Sequence, residues 1–69
     1  MNHPFQDKRN SEIIELINEY IHSERDRVLM KRKLVDDIRF EALGEELDLS
    51  TTQVKRIYKK NLETIDMFV

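Results

Sequence analysis

This 69-residue chain has no cysteine. Without thiols there is neither a disulfide framework nor a thiolate zinc site, so nothing in the sequence points to secretion or to a metal-held fold. Glycine and proline occur once each, and charged residues make up 38% of the chain, a balance that fits an all-α domain with solvated faces. Long hydrophobic runs are missing too. The longest, such as Val28-Leu29-Met30, span two or three residues, too few for a membrane span or a signal peptide, and predict a soluble cytoplasmic protein. Strand-like alternation appears nowhere. At this length the chain makes one domain whose core leaves about 3–5 kcal/mol of stability. An enzyme cleft is not expected, and no Ser-His-Asp set, carboxylate pair or Gly-rich phosphate loop is present. His3 and His22 lack a second ligand at metal spacing, so neither a metal nor a cofactor is called for.

The net charge of -2 is unevenly distributed. Residues 51–60 carry Lys55, Arg56, Lys59 and Lys60 with no acid, and residues 25–39 are net basic through Arg25, Arg27, Lys31, Arg32, Lys33 and Arg39. Acids collect in Glu12, Glu15, Glu19 and Glu24, and again in Glu41, Glu45, Glu46 and Asp48. A small domain can hold a positive face and a negative back, and only the face sets affinity for a polyanion.

Residues 1–9 have no period and include Pro4, which predicts an N-terminal arm in which Phe5 can dock. The helical domain then covers residues 10–69. Asn10 or Ser11 caps a first helix to about His22, with Ile13, Ile14, Leu16, Ile17, Tyr20 and Ile21 on a wide apolar face. Ser23 caps a second helix, with Asp26 at the capping-box position and Val28, Leu29 and Leu34 pointing inward. A third helix spans about 39–47. Its Gly44 costs roughly 1 kcal/mol relative to Ala and is explained if the site faces the following helix at closest approach. The fourth helix starts after Ser50 and runs toward Met67, because Val54, Tyr58, Asn61, Ile65 and Phe68 fall at four-three spacing. Two readings of that spacing stand open. Either Val54, Ile57 and Tyr58 serve the core while the last residues fray, or Ile65, Met67, Phe68 and Val69 form a homodimer contact.

The segment from Phe40 to Ile57 reads as a helix-turn-helix, at about residues 39–62 when its flanks are included. Phe40, Leu43 and Leu47 mark one helix, Leu49 fills the turn, and Val54 and Ile57 restart the period after the Ser50 cap. Phe40, Leu43, Gly44, Leu49, Ser50 and Val54-Lys55-Arg56 resemble the DNA-binding region four of sigma-70 family RNA polymerase subunits. With the lead-in from Glu24 the likeness covers roughly residues 24–62, and the whole is similar to small sigma-like proteins of phages and mobile elements in Gram-positive bacteria. Three departures stand out. Asp48 occupies the usual turn glycine, where the backbone must be left-handed. Asp37 and Arg39 replace the residues that cap the first helix, leaving Asp36, Asp37 or no side chain for that task. Arg32 replaces a common leucine, which implies a shallower core or a snorkelling side chain.

The resemblance implies a nucleoid-associated transcriptional regulator that binds double-stranded DNA and reads the major groove with the helix after Ser50. Thr51, Thr52, Gln53 and Arg56, in its first turns, are the candidates for base edges, since Gln can pair with adenine, Arg with guanine, and a Thr methyl can touch thymine. Lys55, Lys59, Lys60 and Arg39 suit phosphates. A full sigma factor also grips core polymerase and melts DNA, for which 69 residues leave no room, so an accessory regulator is expected. The alternative is an adaptor that binds RNA polymerase or another protein through the acidic first helix and the apolar C-terminus.

Overall fold

A computed structural model describes residues 8–68, and in it the apolar spacings become four helices: α1 Asn10–Tyr20, α2 Glu24–Leu34, α3 Phe40–Leu47 and α4 Thr51–Asp66. No strand occurs among the described residues, and the four helices form one all-α domain, as expected. The docking expected of Phe5 and any contact of Val69 lie outside the described residues.

α2 and α4 are central. Each packs against the other three helices, whereas α1 and α3 do not meet. The shared core is Ile13, Ile17 and Ile21 from the α1 side, Leu29 and Met30 of α2, Leu43 of α3, and Val54, Tyr58 and Ile65 of α4. Because α2 has neighbours on three sides, the adjacent residues Leu29 and Met30 are both fully buried. Val28, expected to point inward, falls on the remaining side and is 39% exposed. The four-three spacing of α4 also finds its partners within the domain: Val54, Tyr58, Asn61 and Ile65 are all buried.

The helix ends differ from expectation where polar groups had a choice of partner. α1 has neither Asn10 nor Ser11 as its cap. Arg9 holds that position without a side-chain bond, and its carbonyl accepts the Ile13 amide at 3.0 Å. The helix stops at Tyr20 because Ile21 turns extended, which sends its side chain into the core. The carbonyls of Asn18 and Ile21 at this end accept hydrogen bonds from the Arg27 guanidinium of α2. α2 begins as expected, with Ser23 Oγ accepting from the Asp26 amide at 3.4 Å. α3 has Arg39 at its N-cap with no side-chain bond, so neither Asp36 nor Asp37 serves. Asp37 is instead left-handed, at φ 55°, in the loop where the Ile38 amide bonds the Arg32 carbonyl at 3.1 Å. Arg32 stays at the surface and donates from Nε and Nη2 to the two Glu46 carboxylate oxygens at 3.2 and 2.7 Å, tying α2 to α3.

The join between α3 and α4 is a three-residue turn, Asp48 to Ser50. The amides of Asp48 and Leu49 both turn back to the Gly44 carbonyl, the latter at 2.8 Å, and Asp48 is left-handed at φ 58°, ψ 45°. A β-carbon on Gly44 would sit 2.6 Å from the Leu49 carbonyl oxygen. What forbids a side chain is therefore the backbone of the turn, not α4 as the sequence reading had it. Asn61, buried in α4, donates its side-chain amide to Asp26 Oδ2 at 3.2 Å and to the Ile57 carbonyl at 3.0 Å, fastening α4 to the start of α2.

Two substitutions in the turn have opposite expected signs. Gly44→Ala gains about 1 kcal/mol of helix propensity but meets a carbonyl that cannot rotate away, an overpacking cost of about 1–3 kcal/mol. A net loss is expected in urea unfolding. Asp48→Gly relieves left-handed strain of about 1–2 kcal/mol against a smaller entropy cost, for a net gain of up to about 1 kcal/mol. A lower unfolding midpoint for Asp48→Gly would contradict the turn geometry.

Candidate functional site

α4 starts on a reciprocal cap. Ser50 is extended, its Oγ accepts the Gln53 amide at 3.1 Å, and Gln53 Oε1 accepts the Ser50 amide at 2.9 Å. This capping box satisfies two amides that a helix start would otherwise leave open, and it fixes the direction in which α4 leaves the turn. It also revises the role of Gln53. Bidentate pairing with adenine uses both the oxygen and the nitrogen of the carboxamide, and here the oxygen is committed to the cap. The signal was in the sequence, as Ser50-Thr51-Thr52-Gln53.

With Val54, Tyr58, Asn61 and Ile65 turned inward, the helical period turns Thr52, Arg56, Lys60 and Glu63 outward, and all four are exposed. Thr52 and Arg56 are one turn apart on this face. Thr51, the first helical residue, is half-buried. Lys55 and Lys59 lie on one flank, where they line a shallow groove with Phe40, Glu41, Tyr58 and Leu62. Phe40 meets Tyr58 edge-on, ring centroids 5.4 Å apart at 64°. Lys55 Nζ is 5.9 Å from the Phe40 ring centroid, and Lys33 Nζ, from the end of α2, is 4.4 Å from it. Lys33 was not among the expected site residues, because its link to Lys55 runs through a ring on a third helix. Arg39 is exposed immediately before Phe40. Beyond Lys60 the charge of α4 changes sign at Glu63 and Asp66, so its positive face is confined to the first half.

Tyr58 has its phenol raised above the ordinary value of 10.0, first by burial and then by the negative charge of Asp37. Both favour the neutral ring.

At the C-terminus, two of the residues named for a homodimer contact, Ile65 and Phe68, pack within the domain. Ile65 is fully buried within its own domain, and Phe68 stacks on Tyr20 with centroids 4.5 Å apart and planes 3° from parallel. Met67 is 81% exposed and Phe68 58%. No helix among the described residues is long and apolar enough to cross a membrane.

Comparison with protein-family models, with curated proteins and with solved structures finds no match. The chemistry of α4 and its flank therefore carries the functional reading.

Gln53→Ala removes half of the capping box and is expected to cost about 1 kcal/mol of stability, whereas Gln53→Glu retains the acceptor and stays near wild type. Equal losses for both in urea unfolding would contradict the cap. For Tyr58, the raised phenol pKa gives stability that is complete below pH 10, the ordinary value, and is lost as pH rises through the higher folded value. Thermal midpoints should fall more steeply above pH 10 for wild type than for Tyr58→Phe. Identical slopes would show that the ring ionises as freely in the fold as in the unfolded chain.

Proposed function

We propose that this protein is a sequence-specific DNA-binding regulator of transcription that acts by binding alone, with α3, the turn and α4 serving as a helix-turn-helix and α4 lying in the major groove. One observation carries the reading. The outward face of the first turns of α4 holds Thr52, Arg56 and Lys60, with Lys55 and Lys59 beside it, and no acid lies between Thr51 and Lys60. A helix presented in this way by a rigid turn has the shape and charge of a groove reader. The resemblance of residues 24–62 to sigma region four supports the same reading.

The roles divide by position. Arg56 suits the two acceptors of guanine, and Thr52, one turn earlier on the same face, suits a thymine methyl or a base-edge hydrogen bond. Lys55, Lys59, Lys60 and Arg39 meet phosphates, which supply affinity without sequence choice. Gln53 holds the start of the helix, and Thr51, half-buried beneath the face, has a smaller share in contact. The net charge of -2 is no obstacle, because the acids of α1 lie on another helix and Glu63 and Asp66 come after Lys60, beyond the first turns of α4.

Four cations on phosphates, Arg39, Lys55, Lys59 and Lys60, imply that log affinity falls against log salt with a slope of about -3 to -4. On a site selected from random duplexes, Arg56→Ala is expected to cost about 1–3 kcal/mol while changing binding to scrambled DNA little, and Lys60→Ala should weaken both alike. Gel-shift titrations on the two duplexes at two salt concentrations measure all of this. No retarded DNA at low salt would refute the proposal, and a selective loss for Lys60→Ala with a neutral Arg56→Ala would mean that the helix docks in another register.

A further inference from the structure

The groove beside α4 has a composition that DNA does not use in full. Its floor is apolar, with Phe40 and Tyr58 in edge-on contact and Leu62 half-buried. Its volume is about 480 Å³, open on one side, enough for a large aliphatic or aromatic side chain. Lys55 and Lys59 of α4 line it together with the carboxylate of Glu41, the negative charge of Asp37 reaches Tyr58, and Lys33 from the end of α2 lies over the Phe40 ring. None of the three lysines forms an ion pair among the described residues, whose pairs are Arg25 with Asp26 and Arg32 with Asp36 and Glu46. Lys33 and Lys55 are held beside the Phe40 ring by cation–π attraction, and all three lysines retain donors for an anion.

We propose that this groove docks an acidic amphipathic segment of a protein partner, with an apolar side chain on Phe40, Tyr58 and Leu62 and flanking carboxylates on Lys33, Lys55 and Lys59. Charge complementarity selects an acidic occupant, and the apolar floor selects a protein over a nucleic acid. A duplex backbone would satisfy the lysines yet offer nothing large and apolar for the floor. Thr52 and Arg56 also stand on the outer face of α4, away from the groove. Because packed helices α3 and α4 line it, the site is formed before any partner arrives, and binding pays little for ordering it. Docking stands independently of the DNA reading. If both hold, Lys55 and Lys59 cannot serve phosphates and carboxylates together, and the partner competes with DNA.

The test uses the full chain and a fluorescein-labelled synthetic helical peptide with Leu and Phe one turn apart on one face and Glu on its flanks. Two controls accompany it, one with Leu and Phe replaced by Ser and one with Glu replaced by Gln. Fluorescence anisotropy should show binding of the parent peptide and at least about tenfold weaker binding of each control. Lys33→Glu and Lys59→Glu should each weaken the parent peptide about tenfold, and Lys60→Glu, off the groove, should leave it unchanged. Circular dichroism of each variant checks that the helices persist. Equal binding of the Ser control, or equal loss in Lys60→Glu, would reduce the effect to general attraction for polyanions and overturn the proposal. Retention of duplex DNA that Lys33→Glu weakens, with no peptide bound, would assign the rim to DNA and also overturn it. Peptide binding without any DNA retention would support the groove and remove the DNA reading alone.

Discussion

A β-carbon at position 44 would meet the Leu49 carbonyl at 2.6 Å, so the α3 backbone approaches the turn as closely as any residue permits, and only glycine permits it. That contact lets Asp48 and Leu49 return their amides to the Gly44 carbonyl and delivers Ser50 in the extended conformation from which its hydroxyl caps α4. Gln53 then locks the cap from the other side. From there the direction and rotation of α4 are determined: Val54, Tyr58, Asn61 and Ile65 turn inward, and Thr52, Arg56 and Lys60 turn outward. The proposed reading surface is the remainder left by a packing constraint on a single glycine.

A domain this small derives little net stability from its core, and polar ties across its helix ends add direction to the packing. Asn61 joins α4 to the start of α2, Arg27 closes the end of α1, and Arg32 grips Glu46 across to α3. All three ties involve α2, one of the two helices that touch the other three. The exposed Arg32 pair contributes chiefly alignment, whereas Asn61, buried and bonded twice, would leave unpaired polar groups if it were removed.

Much of the architecture was legible because burial period and helix chemistry agree. The apolar spacing gave four helices, Ser23 and Ser50 marked two starts, and Asp48 stood where a left-handed residue was required. What escaped the sequence depended on neighbours that the sequence does not name. Val28 and Met30 exchange roles because α2 is enclosed on three sides. Ile65 looked available for a dimer because it lies near the end of the chain, yet the core reaches that far. Gln53 is legible both as the fourth residue of a capping box and as a base-edge donor and acceptor, and the fold uses its oxygen for the cap. Lys33 meets Lys55 only through the Phe40 ring, a contact between three separate elements that no spacing rule anticipates.

The central claim is that the first half of α4 is a DNA-facing surface oriented by the Gly44 turn. Amide resonances of the isotopically labelled protein, followed as duplex DNA carrying the selected site is added, test it most directly. The account predicts shifts concentrated from Ser50 to Lys60 and at the start of α3, with α1 essentially unmoved. Shifts centred on α1 or on Met67 and Phe68, or none at saturating DNA, would contradict it.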